Sequence, residues 1–198
     1  RKGDTLAGDE GEDVLYGDAG GRLSFGRGGH DTLAGGNGSD VLYGDAGGDL
    51  EAAAGGNDSL SGGDGNDTLI GDAGGTFIAA GGMFGGPASG GDDTLAGGAG
   101  SDVLYGDARG GTGSGGNGGD DVFVFARGGG ADRIGDFEDG KDRLDVSAFF
   151  TGPGSLTITG NGTASVTVSF GGGDQVVVTS AGVGGGPITL DAADFLFA

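Results

Sequence analysis

The feature that most constrains this chain is a nine-residue spacing of apolar residues that persists over more than half of its length. Successive apolar positions are one or two such units apart up to an eight-residue insertion around 81–87, after which the spacing resumes. These positions are Leu6, Leu15, Leu33, Leu42, Leu60, Leu69, Ile78, Leu95, Leu104 and Val122. An aspartate stands two positions before most of them. A short repeat kept in phase over many copies predicts a stacked coil, in which each unit packs only on its neighbours.

The cleanest units, 35–43 and 62–70, read G-G-x-G-x-D followed by a short apolar segment. In that segment the apolar side chain points inward and its neighbours point outward, as strand alternation requires. The glycines permit a tight turn with positive φ angles, and the turn carbonyls and the aspartate offer hard oxygens that suit calcium. We expect two units to make one turn of the coil, so that loops two units apart face each other across a cation.

The units match G-G-x-G-x-D-x-U-x, where U is apolar, and over residues 1–125 the chain resembles the haemolysin-type calcium-binding repeat (RTX) family. The resemblance implies an all-β fold: a right-handed parallel β-roll with two nonapeptides per turn. It also implies that each calcium site takes two carbonyls and an aspartate from one loop, and the same from the loop two units later.

The ligands implied by this resemblance form four complete sets. Asp13 and Asp31 are joined by the carbonyls of Asp9, Gly11, Gly26 and Gly28. Asp40 and Asp58 are joined by those of Gly36, Gly38, Ala53 and Gly55. Asp49 and Asp67 are joined by those of Asp45, Gly47, Gly62 and Asp64. Asp102 pairs with Asp120 or Asp121, since the register is ambiguous by one position, with the carbonyls of Gly98, Gly100, Gly115 and Asn117. Asp31 also pairs with Asp49, and Asp93 is a further candidate ligand.

Composition agrees with a fold that needs cations. Thirty Asp and Glu against nine Lys and Arg give a formal net charge of −21, so the chain repels itself and is a poor partner for nucleic acid or anionic membranes. Fifty-six glycines and three prolines without a triplet period exclude collagen, and the absence of cysteine excludes disulfides and thiolate metal sites. We read no signal peptide and no membrane span. Because Arg1 falls inside a repeat, we expect the chain to be part of a longer protein.

A 27-residue period overlies the nonapeptide, because Asp-Ala-Gly-Gly recurs at 18–21, 45–48 and 72–75. In these third units the consensus decays, and position six is Arg22, Asp49, Thr76 and, after the insertion, Gly111. Either the coil has two units per turn with imperfect units on both edges, or it has three units per turn and three faces. Facing calcium loops favour two. We expect weakened or absent sites at Thr76 and Gly111.

Three further features carry two interpretations each. Arg22 is two units away from both Asp4 and Asp40, and either pairs with those carboxylates in place of calcium or faces solvent. Tyr16, Tyr43 and Tyr105 point outward at position nine, either as a sugar- or partner-binding surface or as packing on half-exposed strands. The single histidine, His30, lies in a turn and is expected to face solvent rather than to act in catalysis.

Residues 126–198 are expected to form a small antiparallel β cap. Residues 122–125 end the repeats with a heavier apolar strand, 155–170 predict a hairpin around Gly160-Asn161-Gly162, and 176–178 predict another strand. The resemblance implies a further calcium site at Asp132 and Asp136. The acidic and then hydrophobic residues 190–197 resemble the terminus of type I secretion substrates, and also fit a final strand.

No catalytic constellation is present, so we expect no enzymatic activity in this chain. The predicted function is calcium-induced folding of a secreted, extracellular module that holds about five to nine calcium ions and engages the type I secretion machinery. One alternative is a calcium-dependent structural or adhesive segment of a surface layer or matrix, with self-association or a cell-surface partner. The other is a non-catalytic appendage of a secreted lipase, protease or epimerase.

Overall fold

The computed structural model describes residues 2–78, 88–109, 118–149, 156–180 and 186–198. Regular structure in these ranges is β, apart from one short 3-10 helix at Ala192–Asp194. The repeat strands pair in parallel, which confirms the predicted all-β class and the parallel roll. No helix in the described part of the chain is long and apolar enough to cross a membrane.

Successive strands of the roll are distributed in turn among three sheets. Sheet A contains, in spatial order, β1 (Thr5–Glu10), β4 (Thr32–Asn37), β7 (Ser59–Asp64), β10 (Thr94–Ala99), β12 (Val122–Val124), β14 (Arg143–Asp145) and β18 (Phe195–Leu196). Sheet B contains β2 (Val14–Tyr16), β5 (Val41–Tyr43), β8 (Thr68–Ile70), β11 (Val103–Tyr105), β13 (Ala131–Phe137), β17 (Asp174–Ser180), β16 (Ser165–Gly171) and β15 (Thr157–Thr159). Sheet C contains β3 (Leu23–Ser24), β6 (Leu50–Glu51) and β9 (Phe77–Ile78).

The first turns of the coil contain three strands, one in each sheet, so the expectation of two nonapeptides per turn was wrong. Leu6 of β1 pairs with Leu33 of β4, and Leu33 pairs with Leu60 of β7. The reason lies in the third units, which bury an apolar side chain one position earlier than the repeat predicts. Leu23, Leu50 and Phe77 are 3%, 0% and 3% exposed, and they give the coil its third face.

The coil narrows towards its C-terminal end. Phe123 of β12 pairs with Leu144 of β14, and β13 is the single strand between them along the chain. A two-strand turn therefore does occur, but in the last turn rather than along the repeats.

Within the described residues two hydrophobic cores run along the roll, and both follow from the strand alternation. The main core lies between sheets A and B and is a ladder of leucines that ends in phenylalanines and in the valines of the C-terminal strands. A smaller core lies under sheet C, where Leu23, Leu50 and Phe77 pack with Ala46, Ala73 and Ala108. Burial of each leucine stabilises the fold by about 1.5–3 kcal/mol. The alanines contribute less, and their small side chains allow sheet C to lie close to the rest of the roll.

The C-terminal segment continues two of the sheets and closes their end. β15, β16 and β17 form an antiparallel meander, which confirms the hairpin around Gly160-Asn161-Gly162 and the strand at 176–178. β17 then pairs in parallel with β13, and β18 pairs in parallel with β14. Phe170 packs against Phe125 and Phe149 at ring distances of 5.4 and 4.9 Å. Sheets A and B thus run through both predicted segments, 1–125 and 126–198, and their division into two domains stays a prediction.

Candidate metal centre

The turns that join sheet A to sheet B carry the first set of functional side chains. Gly36 and Gly38 have φ angles of 115° and 132°, in the region that favours glycine. A Cβ atom at Gly38 would overlap the carbonyl oxygen of Gly11 in the turn before, so only glycine lets successive turns stack this closely. The turn ends at an aspartate that directly precedes the sheet B strand, except that the last one, Asp132, is the second residue of β13. We call these aspartates the turn column: Asp13, Asp40, Asp67, Asp102 and Asp132.

Each later carboxylate of the turn column is tied to the turn before it. The backbone N–H of Asp13 donates to Oδ1 of Asp40 at 2.9 Å, and that of Asp40 donates to Oδ1 of Asp67 at 2.8 Å. The same bond continues from Asp67 to Asp102 at 2.8 Å and from Asp102 to Asp132 at 3.0 Å. In each of these bonds a carboxylate oxygen takes the place of a backbone carbonyl as the acceptor for an N–H of the turn before.

A second column, column A, consists of the aspartates directly before the first six strands of sheet A, β1 to β14: Asp4, Asp31, Asp58, Asp93, Asp121 and Asp142. The bonding repeats the pattern of the turn column, since the N–H of Asp31 donates to Oδ1 of Asp58 at 2.7 Å and that of Asp58 to Oδ1 of Asp93 at 2.6 Å. All members after Asp4 are buried.

A third column, column B, lies at or just beyond the end of each sheet B strand of the roll. Its members are Asp18, Asp45, Asp72, Asp107 and Asp136. Asp45 is typical, because its Oδ2 accepts from the N–H of Gly56 at 2.9 Å. In sequence, Asp45 lies between Leu42 of the main core and Ala46 of the small core. Column B therefore occupies the junction between the two cores.

The second oxygen of most of these carboxylates is buried and has no hydrogen-bond partner. Among the described residues the orphaned atoms are Oδ2 of Asp13, Asp31, Asp40, Asp58, Asp67, Asp93, Asp102, Asp107 and Asp121, and Oδ1 of Asp45. An unsatisfied buried polar atom costs about 1–3 kcal/mol, and more when it is charged. The deficit recurs from turn to turn in the turn column and column A and is also present at Asp45 and Asp107 of column B, which points to a ligand that is a cation.

Burial and mutual repulsion raise the pKa of several of these carboxyls and so favour their neutral form. Burial, followed by the charge of Asp45, raises the pKa of Asp58 to about 8. Burial also raises the pKa of Asp107 to about 8, with Asp136 adding to the rise. In the turn column, burial raises the pKa of Asp102 to about 6. Near neutral pH, Asp58 and Asp107 therefore hold a proton unless a cation lies beside them.

The ligand sets predicted from the sequence are divided between loops. Gly36 lies near the end of β4, with Gly38 and Asp40 in the turn that follows it, whereas Ala53, Gly55 and Asp58 lie in the loop from sheet C to sheet A. Asp9, Gly11 and Asp13 are separated in the same way from Gly26, Gly28 and Asp31, and Asp45, Gly47 and Asp49 from Gly62, Asp64 and Asp67. The pairing of loops two units apart was wrong because the strands are in register after three units. The ligand roles themselves stay a prediction.

Some predicted residues are placed individually. Asp121, not Asp120, belongs to column A, because its Oδ1 accepts from the N–H of Asp93 at 2.9 Å while Asp120 is exposed. Gly98, Gly100 and Asp102 lie in a turn like that of Gly36 and Gly38. Gly111, Gly115 and Asn117 lie outside the described residues.

Arg22 does not pair with Asp4 or Asp40, as one interpretation of the sequence held. Its guanidinium lies 3.0 Å from Asp49 Oδ2 and 3.1 Å from Glu51 Oε2, across one turn of the coil. Asp49 Oδ1 accepts from the N–H of Thr76 at 3.0 Å, and this bond and Arg22 lower the pKa of Asp49. Both oxygens of Asp49 thus have protein partners, unlike those of the buried columns.

Sequence reasoning missed the side chains of Asp18, Asp72 and Asp107 as members of a buried column. The signal was present in the 27-residue recurrence of Asp-Ala, which we interpreted as decay of the nonapeptide. The tyrosines form a half-exposed outer row, with Tyr16 and Tyr43 stacked at 5.0 Å. His30 is exposed, and its Nδ1 accepts from the N–H of Asn57 at 2.7 Å.

Comparison with known families identifies this architecture. A model described as "Peptidase M10 serralysin C terminal" matches residues 18–176, well over half of the chain. The chain belongs to the serralysin C-terminal family. A second model, the RTX calcium-binding nonapeptide repeat, matches residues 2–21, which confirms the resemblance stated from the repeats. Both models describe non-catalytic regions that are typical of secreted extracellular proteins.

Solved structures that are similar to this serralysin C-terminal family member include an epimerase subunit and a lipase. The R3 subunit of AlgE6, a mannuronan C5-epimerase of Azotobacter vinelandii, is 23% identical over 93% of this chain and 81% of that one, with a TM-score of 0.29. The extracellular lipase LipA of Serratia marcescens is 16% identical over 87% of this chain and 38% of that one, with a TM-score of 0.34. No curated protein matches the chain.

The residues present in this family member fit calcium. The columns supply carboxylate and carbonyl oxygens without sulfur donors, and the one histidine lies outside the three columns. Hard oxygen ligands in this number suit calcium rather than zinc or copper. The orphaned buried oxygens show where additional positive charge is needed.

Proposed function

We propose that the roll is a calcium-binding module in which ions held by the buried aspartates drive folding. The observation that carries this proposal is the orphaned second oxygen, which recurs in the same position turn after turn. The first oxygen of each carboxylate fixes the spacing of adjacent turns, so the protein's own hydrogen bonds aim the second one.

The turn column and column A are the proposed ligand carriers. Asp40, Asp67 and Asp102 each present one orphaned oxygen in the glycine-rich turns, and Asp58 and Asp93 do so in the loops entering sheet A. Bound calcium supplies the charge that cancels carboxylate repulsion. We propose about five to nine ions per chain, with dissociation constants of roughly 10⁻⁴ to 10⁻³ M, as in extracellular modules.

The negative charge of the chain makes its folding depend on whether it is inside or outside the cell. With a formal net charge of −21, the chain without cations resists compaction, which keeps it fit to thread through a type I exporter. Outside the cell, where calcium is abundant, binding supplies the folding free energy and makes export directional. We place the mature module outside the cell.

The family supports a second, compatible role as a non-catalytic appendage. The matched family model is the C-terminal part of a peptidase family, so the module can serve as the export and folding unit of a larger secreted protein. The existence of such a larger protein, and its activity, are part of this proposal.

The test combines circular dichroism with ion counting on the full chain. In calcium-free buffer at weakly alkaline pH, where the buried carboxyls ionise, we expect an unfolded spectrum, and in millimolar calcium at the same pH a β spectrum with several bound ions per chain. Asp67→Asn should lose bound calcium, whereas Asp64→Asn, at an exposed position of the same turn, should not. A fully ordered chain that binds no calcium would overturn the proposal.

A further inference from the structure

Column B contains carboxylates whose side chains the nonapeptide pattern assigns to no calcium site, because they stand at position two of each third unit. Asp18 and Asp45 belong to this column, and Asp31 of column A lies beside them. One ligand oxygen from each of these three carboxylates lies within 4.8 Å of the other two. Three negative charges at that separation repel one another strongly in a buried position.

In Asp31 and Asp45, one carboxylate oxygen accepts a backbone hydrogen bond and the other does not. Asp31 Oδ1 accepts from the N–H of Asp4 at 2.5 Å, and Asp45 Oδ2 accepts from that of Gly56 at 2.9 Å. The other oxygens, Asp31 Oδ2 and Asp45 Oδ1, are buried and have no hydrogen-bond partner in the described part of the chain. The two residues are 2% and 0% exposed. These two oxygens are therefore free to act as ligands.

The backbone around the group is shaped to admit the carboxylates. A Cβ atom at Gly28 would overlap the carboxylate of Asp45, and one at Gly17 would overlap that of Asp31. Asp18 Oδ2 accepts from the N–H of Gly29 at 2.7 Å, which fixes the third carboxylate against the same loop. Glycines on both sides thus bring three carboxylates from two adjacent turns together.

We propose that Asp18, Asp31 and Asp45 hold a divalent cation of the calcium type inside the roll, at the junction of its two cores. Three carboxylates with no nitrogen or sulfur donor select a hard cation. The site differs in kind from those of the turn column, because two of its carboxylates come from the loop that leads to sheet C. This inference rests on the proposed calcium-binding function and adds a class of site to it.

The test counts calcium ions per chain by native mass spectrometry, for the wild-type chain and for Asp18→Asn. Asparagine keeps an acceptor for the N–H of Gly29 but removes the charge. We expect one ion fewer per chain, with an unchanged circular dichroism spectrum in excess calcium. The matched control is Glu10→Gln, an exposed position in the same turn of the coil, which should keep the wild-type ion count.

Each outcome separates this site from the general function. A wild-type chain that binds no calcium would overturn the proposed function itself. A wild-type chain that binds several ions, together with an Asp18→Asn variant that binds equally many, overturns this site and leaves the turn sites standing. Crystals of the wild-type chain grown with terbium decide the matter if the variant does not fold. An anomalous peak among the three carboxylates supports the site, and peaks elsewhere only would refute it.

Discussion

The backbone N–H of Asp40 donates to Oδ1 of Asp67, one turn further along the coil, at 2.8 Å, while Oδ2 of Asp67 is buried without a partner. One carboxylate thus does two things. Its first oxygen sets the distance between adjacent turns, and its second offers a charge that the protein does not satisfy. In the proposed function, a single side chain of this kind couples the stacking of the turns to ion binding.

Asp67→Ala should destabilise the roll in saturating calcium. The substitution removes the acceptor for the buried N–H of Asp40 and a proposed ion ligand, so the free energy of unfolding should fall by at least about 1–3 kcal/mol. Thermal and urea melts at fixed free calcium measure it. Asp64→Ala, at an exposed position earlier in the same turn, should change little. Equal losses in the two variants would contradict the role given to the carboxylate.

Gly56→Ala should be strongly destabilising, because its Cβ atom would overlap the carbonyl oxygen of Gly29 in the turn before. Backbone must move to relieve that overlap, and overpacking of this kind costs about 1–3 kcal/mol or more. Gly21→Ala is the control, since a Cβ atom there meets nothing within 4 Å. Melting midpoints of the two variants in calcium should differ clearly. A neutral Gly56→Ala would mean that the turns are not stacked as closely as described.

Without cations, the stability of the fold should decline as the pH rises. Burial raises the pKa of Asp58 to about 8 and that of Asp45 to about 7, against an unfolded value of about 4. The folded chain therefore binds these protons more tightly than the unfolded chain. Their contribution is fully present below about pH 4 and is lost as the pH passes through about 7 to 8.

Melts in calcium-free buffer from acid to weakly alkaline pH measure this dependence. Asp58→Asn should flatten it, because the substituted side chain does not titrate. In saturating calcium the trend should reverse at acid pH, where protons compete with the ion for the same oxygens. A cation-free midpoint that rises with pH would show that the carboxyls are not buried as described.

Arg22→Ala should leave the calcium count unchanged. The guanidinium is half-exposed and pairs with Asp49 and Glu51 of the sheet C region, neither of which has an orphaned oxygen. Exposed pairs contribute little to stability, so the melting midpoint should move only slightly. Native mass spectrometry and melts in calcium test both statements. Loss or gain of an ion would indicate that Arg22 acts on a calcium site after all.

The local part of this architecture was predictable from the sequence. Residues that lie close together along the chain determine three of its features: the strand alternation about Leu33 and Leu42, the glycine turn at 35–40 and the hairpin around Asn161. The aspartate phase was equally clear, and the all-β roll with an antiparallel C-terminal meander is what those signals produce. Each depends on the conformational preferences of a few neighbouring residues.

Tertiary structure alone decided the number of units per turn and, with it, which aspartates meet. A nonapeptide closes a turn equally well on two faces or three, and its pattern does not distinguish them. The choice depends on the packing of Leu50, which lies one position earlier than the nonapeptide repeat predicts. Leu50 is buried against Ala46 and Ala73 in a separate core under sheet C. That packing joins parts of the chain a full turn apart. It changes the register from two units to three and brings Asp18 and Asp45 beside Asp31.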